Sequence, residues 1–258
     1  MTQTLSVDLP SGTVYVSGTV NGVAKTWTNT EGNTWETVAD TAADEKYLVE
    51  LVLISSTGIT SEEKFTLYYG ILNLITDRTQ ADLNRAKQLA AIGYANMTDA
   101  EKAEWDGNLK GAYNANDMNR VESAVLYLVG VLKELPQELR DYAAELGVSF
   151  DRFFDVPYYA DGLNLTVKNT WQVGEIPSRE EKSRYLSNVV ELRRTIDYET
   201  DDLPGSMDGL TVGGANAIEK ALLLLESAID KFRQNKQTQL ENTAAAWFFA
   251  GEIYTNEV

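Results

Sequence analysis

The chain has 258 residues, with 39 acidic and 22 basic side chains and a formal net charge of −17 at pH 7. Because this charge repels phosphate backbones and anionic lipids, nucleic acid and membrane are not expected partners. Cysteine and histidine are absent, which excludes thiol nucleophiles, disulfides, histidine-dependent triads and metal sites built on either residue.

The missing histidine also lowers the expectation of catalysis, because histidine is the usual general base at neutral pH. Carboxylates, tyrosine, lysine or a serine–lysine pair would have to do the chemistry, and a carboxylate-based glycosidase stays open. The composition favours a non-enzymatic protein without a cofactor. The first residues, MTQTLSVDLPSGTVYV, do not resemble a signal peptide, and no run approaches the roughly 18 apolar residues of a membrane span. We therefore expect a protein that is made in the cytoplasm and stays soluble, and that can leave the cell by lysis or inside an assembly.

Residues 1–70 show the alternation of β-strands. Asn21 and Gly22 separate two alternating runs and suit the positive φ angles of a type I′ turn, so they predict a hairpin. The predicted strands are LSVDL (Leu5–Leu9), TVYVSGTV (Thr13–Val20), VAKTWT from Val23, KYLVELVLI from Lys46 and KFTLYYG from Lys64. We expect them to form a small antiparallel β-sandwich of immunoglobulin or fibronectin type.

After Gly70 the apolar spacing changes from two residues to about 3.6, which indicates helices. The expected fold class is α+β, with a β-sandwich in residues 1–70 and a mainly α-helical domain in residues 71–258. The boundary is expected between Tyr69 and Asp77. The apolar sequence there, YYGILNLITD, indicates that the two domains pack together or are rigidly joined.

Caps and apolar stripes locate the helices of the second domain. The expected caps are Gly93, Thr98 with Glu101, Asn116 or Asp117, Ser178 with Glu181, and Asn216. The stripes are Leu83, Ala86, Leu89 and Ala90; Met118, Val121, Val125, Leu128 and Leu132; Tyr185, Val189, Leu192 and Ile196; and Ile218, Leu222, Leu225, Ile229 and Phe232.

Three stretches interrupt this helical pattern. Pro136 is expected to end one helix, with a separate helix following as far as Gly147. NLTVKNTW (Asn164–Trp171) is interpreted as a short strand, and AAAWFFAGEIYTNEV from Ala244 as a short extended C-terminal segment that docks on the helices.

Several motifs suggest binding, but each has a simpler interpretation. In GNLKGAYN, Lys110 precedes the second glycine, whereas a phosphate loop places its lysine after the last one, so a helix start is favoured. VGGANAIEK at Val212 offers free amides to an anion, but an N-cap is favoured. DYETDD (Asp197–Asp202) lacks the glycine and glutamate of a calcium loop, so a solvated acidic loop is favoured.

Aromatic residues supply the candidate interaction site. Tyr158, Tyr159 and Trp171 lie in irregular chain, where we expect an exposed patch that contacts a sugar or a protein. The other aromatic residues of these regions are expected in the core: Phe153, Phe154, Trp247, Phe248 and Phe249. No catalytic, cofactor-binding or metal-binding residue is predicted.

A series of stretches resembles a group of uncharacterised phage and prophage structural proteins of gut Firmicutes. These stretches are NLITDRTQAD (Asn73–Asp82), KGAYNANDMNRVESAV (Lys110–Val125), RYLSNVVELR (Arg184–Arg193), MDGLTVGGANAIEK (Met207–Lys220) and WFFAGEIY (Trp247–Tyr254). In that group, an immunoglobulin-like domain precedes a helical module. The resemblance carries no active-site residues.

The resemblance implies a virion component, most simply a tail or baseplate accessory protein. Its partners would be other virion proteins or copies of itself in a symmetric assembly. Two alternatives stay open: a host-surface adhesin that binds carbohydrate, and a capsid decoration protein.

Overall fold

The computed structural model describes residues 2–42, 46–68, 73–106, 109–150 and 163–255. Over these ranges, seven β-strands precede five α-helices and a short 3₁₀ turn at Tyr94–Asn96. The expected α+β class is therefore confirmed. Among the described residues, no helix has the length and apolar character needed to cross a membrane.

The strands form two antiparallel sheets. Their bounds are β1 (Thr2–Asp8), β2 (Thr13–Val20), β3 (Val23–Thr26), β4 (Thr28–Glu31), β5 (Thr34–Asp40), β6 (Lys46–Ser55) and β7 (Thr60–Tyr68). One sheet has the order β1-β5-β4 and the other β3-β2-β6-β7. Asn21 and Gly22 have φ angles of 51° and 76°, as the predicted hairpin requires.

The two sheets share one core. Leu5 and Trp35 from the first sheet lie in the same buried cluster as Val16, Leu51 and Phe65 from the second. The immunoglobulin or fibronectin type stays a prediction. One strand was predicted from Val23, but the chain divides at the buried Trp27 into β3 and β4, which join different sheets.

The helices are α1 (Gln80–Ile92), α2 (Asp99–Asp106), α3 (Ala115–Glu145), α4 (Arg179–Arg193) and α5 (Val212–Thr255). The capping boxes at Thr98 and Ser178 form as predicted. Two predicted caps are wrong. Asn114 caps α3 in a box with Asp117, and at the start of α5 the Thr211 hydroxyl accepts from the Gly214 amide.

Helix α3 passes through Pro136 without ending, which corrects the prediction of two helices. A proline in a helix interior removes one backbone hydrogen bond and costs about 3 kcal/mol. Leu132, Leu135 and Leu139 are all at most 1% exposed on one continuous face. Burying each leucine contributes about 1.5–3 kcal/mol, so packing on both sides of the proline outweighs its cost.

The predicted extended C-terminal segment is also wrong, because α5 continues to Thr255. Extending an existing helix adds one hydrogen bond per residue fixed, whereas a new element must first be nucleated. Ala244, Ala245 and Ala246 are the strongest helix-forming residues. Extension of α5 is therefore favoured locally.

Helices α3 and α5 run parallel and in register. Side chains 99 positions apart meet at three levels: Arg120 with Glu219, Tyr127 with Glu226, and Tyr142 with Glu241. The apolar stripes predicted on both helices face this seam together with α4. Their alternating three- and four-residue steps are those of a coiled coil, which explains the constant register.

Two glycines give a matched test of how closely the segment before α3 packs against α1. A Cβ atom on Gly111 would overlap the backbone carbonyl of Asp82 at the start of α1, whereas Gly130 inside α3 has open space around it. Gly111→Ala should lower the free energy of unfolding by about 1–3 kcal/mol. Gly130→Ala should raise it by about 0.5–1 kcal/mol. Urea unfolding followed by circular dichroism measures both changes, and equal effects would contradict the close approach at Gly111.

Candidate functional site

Of the three residues predicted as an exposed patch, Trp171 lies among the described residues. Tyr158 and Tyr159 lie outside the described residues. Trp171 is only 1% exposed and belongs to the main helical core, so its predicted exposure is wrong. Its indole packs in that core, because burying such a large ring is favourable even where the backbone around it is irregular.

Trp171 is held by side chains of α3. The Asn119 side chain accepts from the Trp171 amide at 2.6 Å and donates to its carbonyl at 2.8 Å. Lys168 lies 3.8 Å from the centre of the indole ring, a cation–π contact. The buried asparagine thus replaces the strand partner that this backbone lacks.

The strand predicted at Asn164–Trp171 does not form, and helix side chains bond its backbone at Thr166 and Lys168 as well. Arg184 and Asn188 of α4 both donate to the carbonyl of Thr166. Glu122 of α3 accepts from the Lys168 amide and pairs with Arg184 through both carboxylate oxygens. Side chains rather than a neighbouring strand satisfy this backbone.

Four buried charges form a second cluster, the junction network, made of Arg78, Asp117, Arg120 and Glu219. None of their side chains is more than 3% exposed. Arg78 donates to Asp117 at 2.7 Å and to Glu219 at 2.5 Å. Arg120 contacts the same two carboxylates, with two donors on Glu219 at 3.0 Å each. Two positive and two negative charges compensate one another.

The junction network ties the chain between the two domains to the helices. The Ile75 amide donates to Glu219 at 2.6 Å, and Arg78 donates to the carbonyls of Ile75 and Lys110. Asn216 of α5 bonds both the amide and the carbonyl of Arg78. Asn216 was predicted as a helix cap, but its amide group clamps this connecting segment instead.

Neighbouring carboxylates keep the two arginines of the junction network charged. Burial alone would disfavour charge on Arg120, but its hydrogen bonds and attraction to Glu219, with a further contribution from Asp117, raise its pKa. The same balance, with Glu219 the largest favourable contribution, raises the pKa of Arg78. These guanidinium groups therefore stay charged and serve as fixed cations rather than as proton donors.

A tyrosine pair lies beside the network. The hydroxyl groups of Tyr113 and Tyr185 are 2.5 Å apart, and Arg78 lies 5.4 Å from the Tyr113 ring centre. Burial, followed by the charge of Glu219, raises the pKa of Tyr113. Burial and the neighbouring Tyr113 raise that of Tyr185. Both phenols stay protonated at physiological pH, so neither provides a general base.

The remaining sequence motifs have structural roles. Lys110 of GNLKGAYN forms an ion pair with Asp77, and Asp201 of the acidic loop pairs with Lys220. Within the described ranges, no group of three or more acidic residues could hold a metal ion. Lys110 and Asp201 are thus engaged in ion pairs with neighbouring segments.

A cleft of about 690 Å³, the junction cleft, opens between the two domains. Leu48, Lys64 and Phe65 line it from the β-domain. Residues of the segments 105–106, 109–116 and 171–175 line it from the helical domain. Trp171 forms part of its wall, so one of the predicted site residues contributes to a surface site from a buried position.

A weak signal for the junction network is present in the sequence. Glu219 follows Ile218 on a helix face that is otherwise small or apolar, and Asp117 and Arg120 flank buried positions of α3. Charges at such positions imply buried partners. Their pairing was not predictable, because Arg78 and Glu219 are 141 residues apart.

Comparison with known protein families, curated proteins and solved structures finds no match to this chain.

The junction network predicts a large penalty for removing one charge. Glu219→Gln keeps the side-chain shape but leaves two buried guanidinium groups with a single carboxylate. The free energy of unfolding should fall by about 3–5 kcal/mol. Glu241→Gln is the matched control on the same helix, because Glu241 is exposed and accepts one hydrogen bond from Tyr142. The control should change stability by less than about 1 kcal/mol in urea unfolding.

A second prediction concerns pH and the contact between the domains. Glu63 of β7 is partly buried; burial and then the charge of Glu175 raise its pKa, while Lys168 opposes this. When folding raises the pKa of a carboxyl group, the folded state is favoured by protonation of that group. This contribution to the free energy of unfolding is fully present below the pKa of the unfolded chain, about 4.3. It is lost as the pH rises through the pKa of the folded protein. Glu63→Gln should therefore raise the melting temperature at pH 7 relative to the unsubstituted protein.

Near pH 4 this difference should shrink towards zero, because the carboxyl group is then largely protonated. Glu62→Gln, at the exposed neighbouring position, is the control for a general loss of negative charge. An equal gain from both substitutions at pH 7 would contradict a specific effect at Glu63.

Proposed function

We propose that this chain is a non-enzymatic phage virion structural protein, a tail or baseplate accessory component that docks to other virion proteins or to copies of itself. The observation that carries the proposal is the use of the buried charges. All four residues of the junction network fasten the connecting segment to α3 and α5. The buried ionic groups therefore have a structural role: they keep the two domains joined.

The surface of the β-domain supports docking. Val14, Tyr15, Val23, Val38 and Ile59 are each more than half exposed. On one face of the larger sheet, Tyr15 lies opposite Ile54 in the strand register, and the exposed Val52 lies two residues along β6. Apolar side chains on a sheet face suit contact with another protein. The resemblance to phage structural proteins supplies the virion context.

The test is mass spectrometry of purified virions from the source phage or induced prophage, with copy number measured against the major capsid protein. We expect a few to tens of copies per particle, as for tail and baseplate components. Hundreds of copies would indicate capsid decoration instead. Recovery only as free protein in the lysate or on cells would overturn the virion role.

A further inference from the structure

The junction cleft combines an aromatic surface with two amide side chains that the described protein leaves available to a ligand. Trp105, at the end of α2, lines the cleft and packs against the small core around Leu89 and Met97. This packing restrains a half-buried indole at the wall of the cleft. A restrained aromatic surface can cover the apolar face of a ligand at little cost in side-chain entropy.

Two amide side chains lie in the same cleft. Asn116 and Gln172 are half-buried, and the side chain of neither forms a hydrogen bond with any other described residue. This contrasts with Asn119 and Asn216, whose amide groups are both used to hold backbone. Each free amide presents a carbonyl acceptor and an NH₂ donor. Neighbouring hydroxyl groups of a ligand need both functions.

The charged groups around the cleft are occupied by protein partners. Lys64 pairs with Glu50 at 2.6 Å, Glu175 pairs with Lys168, and Asp106 accepts from the Tyr94 hydroxyl at 2.7 Å. The net charge of −17 further disfavours an anionic ligand. The polar lining side chains without a partner among the described residues are therefore neutral: the indole of Trp105 and the amides of Asn116 and Gln172.

We propose that the junction cleft binds a neutral saccharide, with Trp105 stacking on a sugar ring and the amides of Asn116 and Gln172 bonding its hydroxyl groups. The volume of about 690 Å³ lies within the range of clefts that hold small molecules. This site shares Trp171 with the patch predicted from the sequence and adds Trp105, Asn116 and Gln172. It does not depend on the location of the protein in a virion.

The test is a nuclear magnetic resonance titration of the full chain with maltotriose, cellotriose and triacetylchitotriose. The indole N–H signal of Trp105, assigned by its loss in Trp105→Phe, should shift with at least one of these sugars. Asn116→Ala and Gln172→Ala should each weaken that binding about tenfold, because each removes hydrogen bonds to the ligand. Gln88→Ala, at an exposed position of α1, is the matched control and should bind like the unsubstituted protein.

The same titration separates the alternatives. Absence of a Trp105 shift with all three sugars at millimolar concentration would overturn the proposal. So would binding that both Asn116→Ala and Gln172→Ala leave intact. Tighter binding of the anionic sialyllactose would contradict the neutral character of the site, and a shift with an extended neutral peptide alone would assign the cleft to a peptide instead.

Discussion

The junction network is the interaction on which the rest of the structure depends. Taking four charged groups out of water is unfavourable unless each is paired and hydrogen-bonded. Here Glu219 accepts from Arg78, from Arg120 and from the Ile75 amide. The network therefore forms only when the connecting segment, α3 and α5 are all in place. The junction between the domains and the centre of the helical core are one unit.

Buried asparagines extend the same principle to segments without regular structure. Asn119 bonds the amide and carbonyl of Trp171, and Asn216 bonds those of Arg78. Buried backbone groups must find partners. Long helices supply these partners through side chains, so the segments before α1 and before α4 stay ordered without joining a sheet. The clamp on Trp171 also fixes part of the wall of the junction cleft.

Local patterns predicted much of the fold, and long-range contacts account for what they missed. The hairpin at Asn21, the capping boxes at Thr98 and Ser178, and the apolar stripes of α3 and α5 depend on neighbouring residues, and these were predicted. Pro136 was misinterpreted because its local cost is offset by packing against distant helices. Trp171 was predicted to be exposed because the clamp by Asn119 involves a residue 52 positions away. The junction network joins residues up to 141 positions apart, which no local pattern encodes.

Hydrogen exchange of backbone amides tests the central claim most directly. Ile75, Arg78 and Trp171 lie outside helices and strands, yet each donates its amide to a side chain of α3 or α5. If the junction network and the asparagine clamps belong to the same cooperative unit as the core, these amides should exchange within about tenfold of core amides of α3 such as Leu128. Exchange at the rate of an unprotected loop would contradict that claim.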